Sequence, residues 1–298
     1  MSTIKLEGSL DVSSIHRFVN QFIDDERSPR SNEFFVDMCS VKFVTPVGVT
    51  SLVNLLTYLG KSGCIIIVQY PDRPTEPVKY LDDCGFFSHF AGKPLRPHAK
   101  CRSTTIPLKI VGYAEYDSWL EYSVFPWLSS HLGFDIKREW PSFYAVIGEI
   151  FNNINDHAGL DDCIASTIMQ YFPKKNEIEI AISDYGIGIP ARVRKVLPQL
   201  HTDGAAIIKA TEDNFSTKST PRNRGAGLHT IIQNTVEING GNVTIISGYG
   251  AVEFNQIWLK GSPLGSAGGI RYPGTLLRLV LRTDTIQREE FYEEDMSW

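Results

Sequence analysis

The chain has 298 residues, of which 42% are hydrophobic and 21% charged, and its formal net charge is −5. The length suits one or two domains, and the composition is ordinary for a folded globular protein. The net negative charge argues against a nucleic-acid binder whose main attraction is electrostatic, but it does not exclude a local basic site.

Residues 1–92 alternate strand and helix signals. Short apolar runs predict strands at 3–6, 34–37 and 65–68, and apolar residues at helical spacing predict helices at 13–23, 49–59 and 78–84. This alternation predicts a small α/β layer domain with helices packed on a sheet. The next segment, 93–104, has prolines and few large apolar side chains, which predicts a linker.

A second α/β pattern runs from residue 105 to residue 283. Strands are predicted at 106–111, 167–172, 177–183, 243–247, 253–259 and 275–280, and helices at 116–132, 143–158 and 228–239. The segment 191–222 mixes helix signals with polar stretches. The glutamate-rich residues 284–298 are predicted to be an acidic tail that is solvated or binds a partner.

The predicted helix at 143–158 carries a polar stripe made of Glu149, Asn153 and His157. Four residues turn an α-helix by about 400°, so these three side chains point to one side. A carboxylate and an amide oxygen one turn apart suit magnesium and phosphate chemistry. An ordinary hydrogen-bonded amphipathic helix is the alternative interpretation.

A carboxylate and two glycines follow the predicted strand at 177–183. Asp184 enters a turn in which Gly186 and Gly188 allow tight backbone geometry and the close approach of a flat ring. A buried aspartate at this place can accept a hydrogen bond from an exocyclic amine. A plain turn at a strand end is the alternative, because Asp and Gly are common there.

Two further motifs are weak when taken alone. Gly225-Ala226-Gly227-Leu228 begins a predicted helix, so its amide N–H groups are free to hold phosphate oxygens. It is neither a P-loop nor a full dinucleotide fingerprint. Gly274-Thr275 places a hydroxyl at the start of a strand, where Thr is common in any case.

In order and context, these four motifs together resemble those of the GHKL nucleotide-binding family, which includes gyrase-type ATPases, Hsp-type chaperones, histidine kinases and mismatch-repair ATPases. The resemblance covers about residues 105–283 and implies a Bergerat-type α/β sandwich that binds ATP. The similar segments are 149–158 (N box), 184–188 and 225–228 (glycine boxes), 274–275 (terminal Gly-Thr) and 215–218 (a stretch that some kinase members carry).

The resemblance implies a role for each matched residue. Glu149 would activate an attacking water or hydroxyl, and Asn153 would ligate Mg²⁺. Asp184, assisted by Thr275, would bind the adenine amino group. Gly186 and Gly188 would line the adenine pocket, and the phosphates would be held by the backbone amides of Gly225, Ala226, Gly227 and Leu228.

The resemblance also implies a mobile lid at 192–224. Within it, Lys218 or Arg224 would offset the charge of the γ-phosphate; the alternative is that both are solvated cations of the lid.

Residues 36–52 resemble the STAS domain of anti-anti-sigma factors, in which a strand and a loop lead into an apolar helix. The order of elements over 1–92 also fits that domain. Aligned on Gly48, the position of the phosphorylated serine holds Val47, which has no hydroxyl. A serine-phosphorylation switch at that place is therefore not expected, and a scaffold or docking role for the domain is the alternative.

Two classes of function follow from the resemblance. The first is a Mg-ATP-dependent ATPase or Ser/Thr protein kinase of anti-sigma-factor type. The second is a non-catalytic switch in which ATP orders the lid and changes a docking surface. We expect a protein partner at the STAS-like domain or the lid, and a homodimer stays open. The scattered cysteines, and the lack of a signal peptide or membrane segment, lead us to expect a cytoplasmic protein.

Overall fold

The computed structural model describes residues 1–110, 116–144, 147–148, 150, 165–213, 215, 226–264 and 271–286. These residues form a mixed α/β protein built on two sheets, with three strands in the first and seven in the second. The α/β class and the two-layer architecture expected for each part of the chain are confirmed.

The first sheet is parallel, in the order β1-β2-β3. Its strands are β1 (Ser2–Leu10), β2 (Glu33–Val44) and β3 (Ile65–Gln69). The helices of this part are α1 (Ile15–Phe22), α2 (Pro46–Lys61), α3 (Glu76–Asp83) and α4 (Phe86–Ala91), of which α4 was not predicted.

The second sheet is antiparallel throughout, in the order β4-β5-β6-β10-β7-β8-β9. Its strands are β4 (Thr105–Ile110), β5 (Ala165–Phe172), β6 (Glu177–Asp184), β7 (Asn242–Gly248), β8 (Gly250–Phe254), β9 (Ser262–Pro263) and β10 (Tyr272–Arg282). The last strand in sequence is therefore the central one, between β6 and β7.

Helices cover one face of this second sheet. They are α5 (Tyr116–Trp119) and α6 (Phe125–Leu132), joined by a π-helical turn at Leu120–Val124, then α7 (Ile136–Glu139), α8 (Ile189–Val196), α9 (Asp203–Ala210) and α10 (Ala226–Ile232), which continues as a π-helical turn to Ile238. Residues 141–144, 147–148 and 150 are also helical. Phe143, Ile147 and Ile150 are buried in the core beneath the sheet, as their helical spacing predicts.

The opposite face of the second sheet is covered by the N-terminal part of the chain. Side chains on that face, including Ile168, Ala181 and Leu276, belong to the same buried cluster as the core of the first sheet. Alternate residues of a strand point to opposite faces, so each strand of the second sheet contributes to both cores. The seven-stranded sheet is therefore enclosed between its own helices and the N-terminal layer.

Helix α2 is the element that joins the two sheets. Thr45 caps its first turn by accepting the N–H of Gly48 at 3.3 Å, and Pro46 occupies its first position. A Cβ at Gly48 would lie 2.2 Å from the carbonyl oxygen of Leu10, so glycine lets β1 approach the helix. Every residue from Pro46 to Leu56 is buried, which is the pattern of a helix packed on two sides.

The prediction of a strand at 253–259 is wrong for most of that range. Strand β8 ends at Phe254, and the Asn255 side chain then accepts the backbone N–H groups of Ile257 and Trp258 at 3.0 and 2.9 Å. This local side-chain bond competes with strand pairing and forms a turn. The apolar residues that suggested a strand lie on the turn, where Ile257 is 83% exposed.

Among the helices in the described ranges, none has the length and apolar character needed to cross a bilayer.

Candidate functional site

Three side chains form a row across the three central strands of the second sheet, near one end of those strands. Thr275 of β10 is the register partner of Asp184 on β6 and of Ser247 on β7. Their neighbours Ile182, Ile245 and Leu277, two residues away along each strand, point into the core beneath the helices. Asp184, Thr275 and Ser247 therefore face the helical layer, side by side at one end of the sheet.

The turn after β6 is shaped by its glycines. The N–H of Gly186 donates to Asp184 Oδ1 at 2.7 Å. Gly188 has a φ of +80°, and a Cβ there would lie 2.8 Å from Ser247 Oγ and 3.0 Å from the carbonyl oxygen of Gly274. The left-handed backbone and the lack of space both require glycine. The turn therefore lies tightly against the start of β10 and leaves Asp184 with a fixed orientation.

Gly274, at the start of β10, makes a similar close approach to the backbone of Asp184. Its φ is +101°, and a Cβ would lie 2.1 Å from the carbonyl oxygen of Asp184. Taken alone, Gly274-Thr275 was one of the two weak motifs of the sequence. The structure places it directly against Asp184 and thereby brings together two of the predicted nucleotide-binding segments.

Ser247 joins these segments through hydrogen bonds, and no motif in the sequence pointed to it. Its hydroxyl donates to the carbonyl of Gly274 at 2.6 Å and accepts the N–H of Ile189 at 3.0 Å, and it lies 3.3 Å from Thr275 Oγ1. The residue is fully buried. A serine before a glycine at a strand end carries no signal of such a role, because the same pair is common in plain turns.

The electrostatics of the row centre on Asp184. Burial raises the pKa of its carboxyl to about 6, although the N–H groups of Gly186 and Thr275 and the positive charges of Arg192 and Arg27 act in the opposite direction. At neutral pH the carboxyl group is therefore mostly ionised and can accept hydrogen bonds. Its pKa is close enough to neutral pH that mild acidification protonates it. A donor that approaches it gains a charge-assisted hydrogen bond in a partly dehydrated place.

The N-terminal layer supports the same turn from behind. The Arg27 guanidinium donates to the carbonyl oxygens of Tyr185 at 3.2 Å and Gly186 at 2.7 Å. Asn54 on α2 donates to the carbonyl and to the hydroxyl of Ser183 at 2.9 Å each. None of these contacts was visible in the sequence, since the partners are more than a hundred residues apart.

The other predicted site residues divide into two groups. Ala226, Gly227 and Leu228 form the first turn of α10, as expected for a segment whose N–H groups are free. The remaining predicted residues lie outside the described residues: Glu149, Asn153, His157, Lys218, Arg224 and Gly225. Their assembly with the row stays a prediction.

The residues present fit the adenine end of a nucleotide. Asp184 supplies an acceptor for an exocyclic amine, Thr275 places a hydroxyl beside it, and Gly188 lets the turn lie against Ser247 and Gly274. That Gly186 and Gly188 line an adenine pocket stays a prediction. The predicted magnesium ligand, Asn153, lies outside the described residues, so the metal part of the site stays a prediction.

The fold and the row define an α/β sandwich with a carboxylate-and-glycine site at one end of an antiparallel sheet. Residues 140–263 match the family model described as histidine kinase-, DNA gyrase B-, and HSP90-like ATPase. The chain therefore contains a domain of this GHKL type, as the resemblance implied, and this supports ATP binding. No family match covers residues 1–92, and no curated protein matches the chain.

Proposed function

We propose that the protein is a Mg-ATP-binding regulatory protein with ATPase or Ser/Thr protein kinase activity of anti-sigma-factor type. The observation that carries the proposal is the row of Asp184, Thr275 and Ser247, with its tight glycine turn, inside a stretch that matches an ATPase family. A buried carboxylate beside a hydroxyl suits the amino edge of adenine. Adenine nucleotides are therefore the substrate class that we propose.

Each proposed role follows from the chemistry of the residue type. Asp184 accepts the adenine amine, and the free amides at Gly225–Leu228 hold phosphate oxygens. Asn153 ligates Mg²⁺, and Lys218 offsets charge on the γ-phosphate. In the chemical step, a water or a partner's hydroxyl gives its proton to Glu149 while its oxygen bonds to the γ-phosphorus. The bond from that phosphorus to the β–γ bridging oxygen breaks, and ADP leaves.

We further propose a division of the chain into four parts: a STAS-like domain at 1–92, a linker at 93–104, the ATP-binding domain at 105–283 and an acidic tail at 284–298. The parallel sheet with helices on it supports the first assignment. A protein partner would bind at the ATP lid or at the part of the STAS-like domain that α2 leaves free.

The release of ADP from Mg-ATP tests the catalytic proposal. We expect the wild-type protein to release ADP above background, with or without a candidate partner, and Glu149→Gln to abolish turnover while it still binds ADP. Asn153→Ala should lose the magnesium dependence of ATP binding. Turnover that is equal in wild type and Glu149→Gln would remove Glu149 from the role of base.

A non-catalytic, ATP-dependent switch is the second candidate, and one observation favours it. Val47 aligns with the phosphorylated serine of the STAS resemblance. It lies in the first turn of α2 and is fully buried. The neighbouring hydroxyls are engaged: Thr45 bonds to Leu10 and Gly48, and buried Thr50 bonds to Val47. The N-terminal layer thus offers no free hydroxyl there for a transferred phosphate, and it serves as a fixed support.

Hydrogen exchange distinguishes the two candidates. ATP-dependent protection within 191–224 without any ADP release would favour the switch. Steady ADP release, or transfer of the γ-phosphate to a captured partner, would favour the enzyme.

A further inference from the structure

The loop at residues 24–30, which follows α1, is a hydrogen-bonded turn in which Arg27 has an unusual backbone conformation. The Asp24 carboxylate accepts the N–H groups of Glu26 and Ser28 at 3.0 and 2.8 Å. Arg27 has a φ of +70°, in the left-handed region that costs a non-glycine residue roughly 1 kcal/mol. Tyr58 on α2 donates its hydroxyl to the Arg27 carbonyl at 2.6 Å. The fold therefore maintains a strained backbone at the residue that reaches the second sheet.

The Arg27 side chain binds the back of the turn that carries Asp184. Its Nη2 donates to the carbonyl of Tyr185, which belongs to the same peptide unit as the N–H of Gly186. That N–H donates to Asp184 Oδ1 at 2.7 Å. Since a peptide unit is planar and trans, its C=O and N–H point in opposite directions. Fixing the oxygen from behind therefore directs the N–H at the carboxylate.

The second bond of Arg27 strengthens this hold. The same nitrogen donates to the carbonyl of Gly186 at 2.7 Å, so the guanidinium grips two successive peptide units. A cation on a carbonyl oxygen also polarises the peptide and makes its N–H a stronger donor. Both effects favour the charged acceptor form of Asp184.

The 24–30 loop also touches the other segment that builds the row. The carbonyl of Asp25 accepts Nη1 of Arg271 at 2.7 Å. Arg271 directly precedes β10, which carries Gly274 and Thr275. The loop therefore supports both sides of the adenine end from the face of the sheet opposite to the nucleotide.

We propose that Arg27 is a positioning residue for adenine recognition, through which the N-terminal layer sets the nucleotide affinity of the ATPase-type domain. This inference rests on the proposed function, because it presumes that Asp184 binds adenine. By reciprocity, a bound nucleotide tightens the contact between the 24–30 loop and the second sheet.

The charges around Asp184 supply a readout that a purely structural role would not move. Arg27 and Arg192 stabilise the ionised carboxylate, and the phenol of Tyr272 is the other titratable group beside it. Removing the positive charge of Arg27 raises the pKa of Asp184, so adenine binding should require a higher pH.

The experiment compares ADP affinity, without magnesium, for wild type, Arg27→Met, Arg27→Lys and Arg30→Met across about pH 5 to pH 8. Arg30 is a matched control, because it lies in the same loop but bonds within the N-terminal layer, to Asn20 and Ile23. We expect Arg27→Met to lose about ten-fold in affinity and to shift the pH midpoint upward. Arg27→Lys should lie between it and wild type, and Arg30→Met should stay within about two-fold of wild type.

The outcomes separate this inference from the proposed function. A wild type that binds no adenine nucleotide rejects the proposed function. A wild type that binds ADP, with Arg27→Met within about two-fold of it, overturns only the inference. A loss with an unchanged pH midpoint, or an equal loss in Arg30→Met, also overturns it, because either would indicate general loosening of the loop.

If Arg27→Met does not fold, hydrogen exchange on the wild-type protein tests whether the 24–30 loop is coupled to the nucleotide site. ADP should slow the exchange of amides in the 24–30 loop, although that loop does not touch the nucleotide. Unchanged exchange there, together with full protection of the turn at 184–188, would overturn the inference.

Discussion

Arg27 and Asp184 hold opposite ends of one peptide unit: the guanidinium binds the carbonyl of Tyr185, and the carboxylate accepts the N–H of Gly186. Asp184 ends strand β6 of the second sheet, whereas Arg27 belongs to the 24–30 loop of the N-terminal layer. The geometry around Asp184 is therefore shared between both layers. The N-terminal layer therefore reaches Asp184 through a single planar peptide unit.

Replacing Asp184 by Asn should weaken ADP binding about ten- to one-hundred-fold. The variant keeps the size of the side chain but loses the charge, and hydrogen bonds to charged groups contribute roughly 1.5–3 kcal/mol. Isothermal titration calorimetry measures the change. Asp117→Asn alters an exposed carboxylate and should leave the affinity unchanged. Equal affinities for wild type and Asp184→Asn would exclude Asp184 as the adenine acceptor.

ADP affinity should rise as the pH increases from about 5 to about 7 and then level off. Burial raises the pKa of Asp184 to about 6, and only the ionised carboxylate accepts a hydrogen bond from the amine on both oxygens. Titrations with ADP at several pH values check this, and Asp184→Asn should show no such rise. A wild-type affinity that falls over the same range would contradict the assignment.

The contribution of Asp184 to the stability of the nucleotide-free protein should fall as the pH rises, whereas the ADP affinity should increase. The pKa of this carboxyl is raised from an ordinary 3.8 to about 6, so the folded state keeps its proton longer than the unfolded state. Its contribution to stability is full below the lower value and is lost as the pH rises through the higher one. Relative to Asp184→Asn, wild type should thus lose free energy of unfolding between about pH 4 and pH 6.5, which urea denaturation measures.

Gly274→Ala should destabilise the protein by about 2 kcal/mol or more and abolish ADP binding. The new Cβ would lie 2.1 Å from the carbonyl oxygen of Asp184, on a backbone with a φ of +101°. Gly204→Ala is the matched control, because its Cβ would meet no atom within 4 Å and its backbone is ordinary helix. Thermal unfolding and ADP titration measure both variants. A Gly274→Ala protein as stable as the control would refute the close approach.

Asn54→Ala should lower the free energy of unfolding by about 2–4 kcal/mol. Asn54 is fully buried, donates to Ser183 and accepts the hydroxyl of Ser166 at 2.7 Å, so its loss leaves several buried polar groups without partners. Urea denaturation measures the effect, with the exposed Asn32→Ala as control. If the N-terminal layer were loosely attached, the two variants would differ little and unfolding would occur in two steps.

The periodicity of the sequence was sufficient for most elements, because strand and helix patterns are local. The strongly apolar run at 49–59 predicted a helix, and α2 is buried from Pro46 to Leu56 and at Leu59. The aspartate-and-glycine turn after β6 was also visible, since tight turns need glycine wherever they occur. Prediction failed at 253–259, where one asparagine side chain outcompeted a strand-like run.

The sequence by itself thus determined the two α/β layers and predicted the adenine-binding turn, with Asp184 and its glycines in a recognisable order. Only the tertiary structure decided that Ser247 joins the glycine segments and that Asn54 and Arg27 support them from the other layer. Those partners are separated by 58, 129 and 159 residues respectively. A hydrogen bond between such distant residues has no period in the chain, and it forms only when tertiary packing brings the partners together.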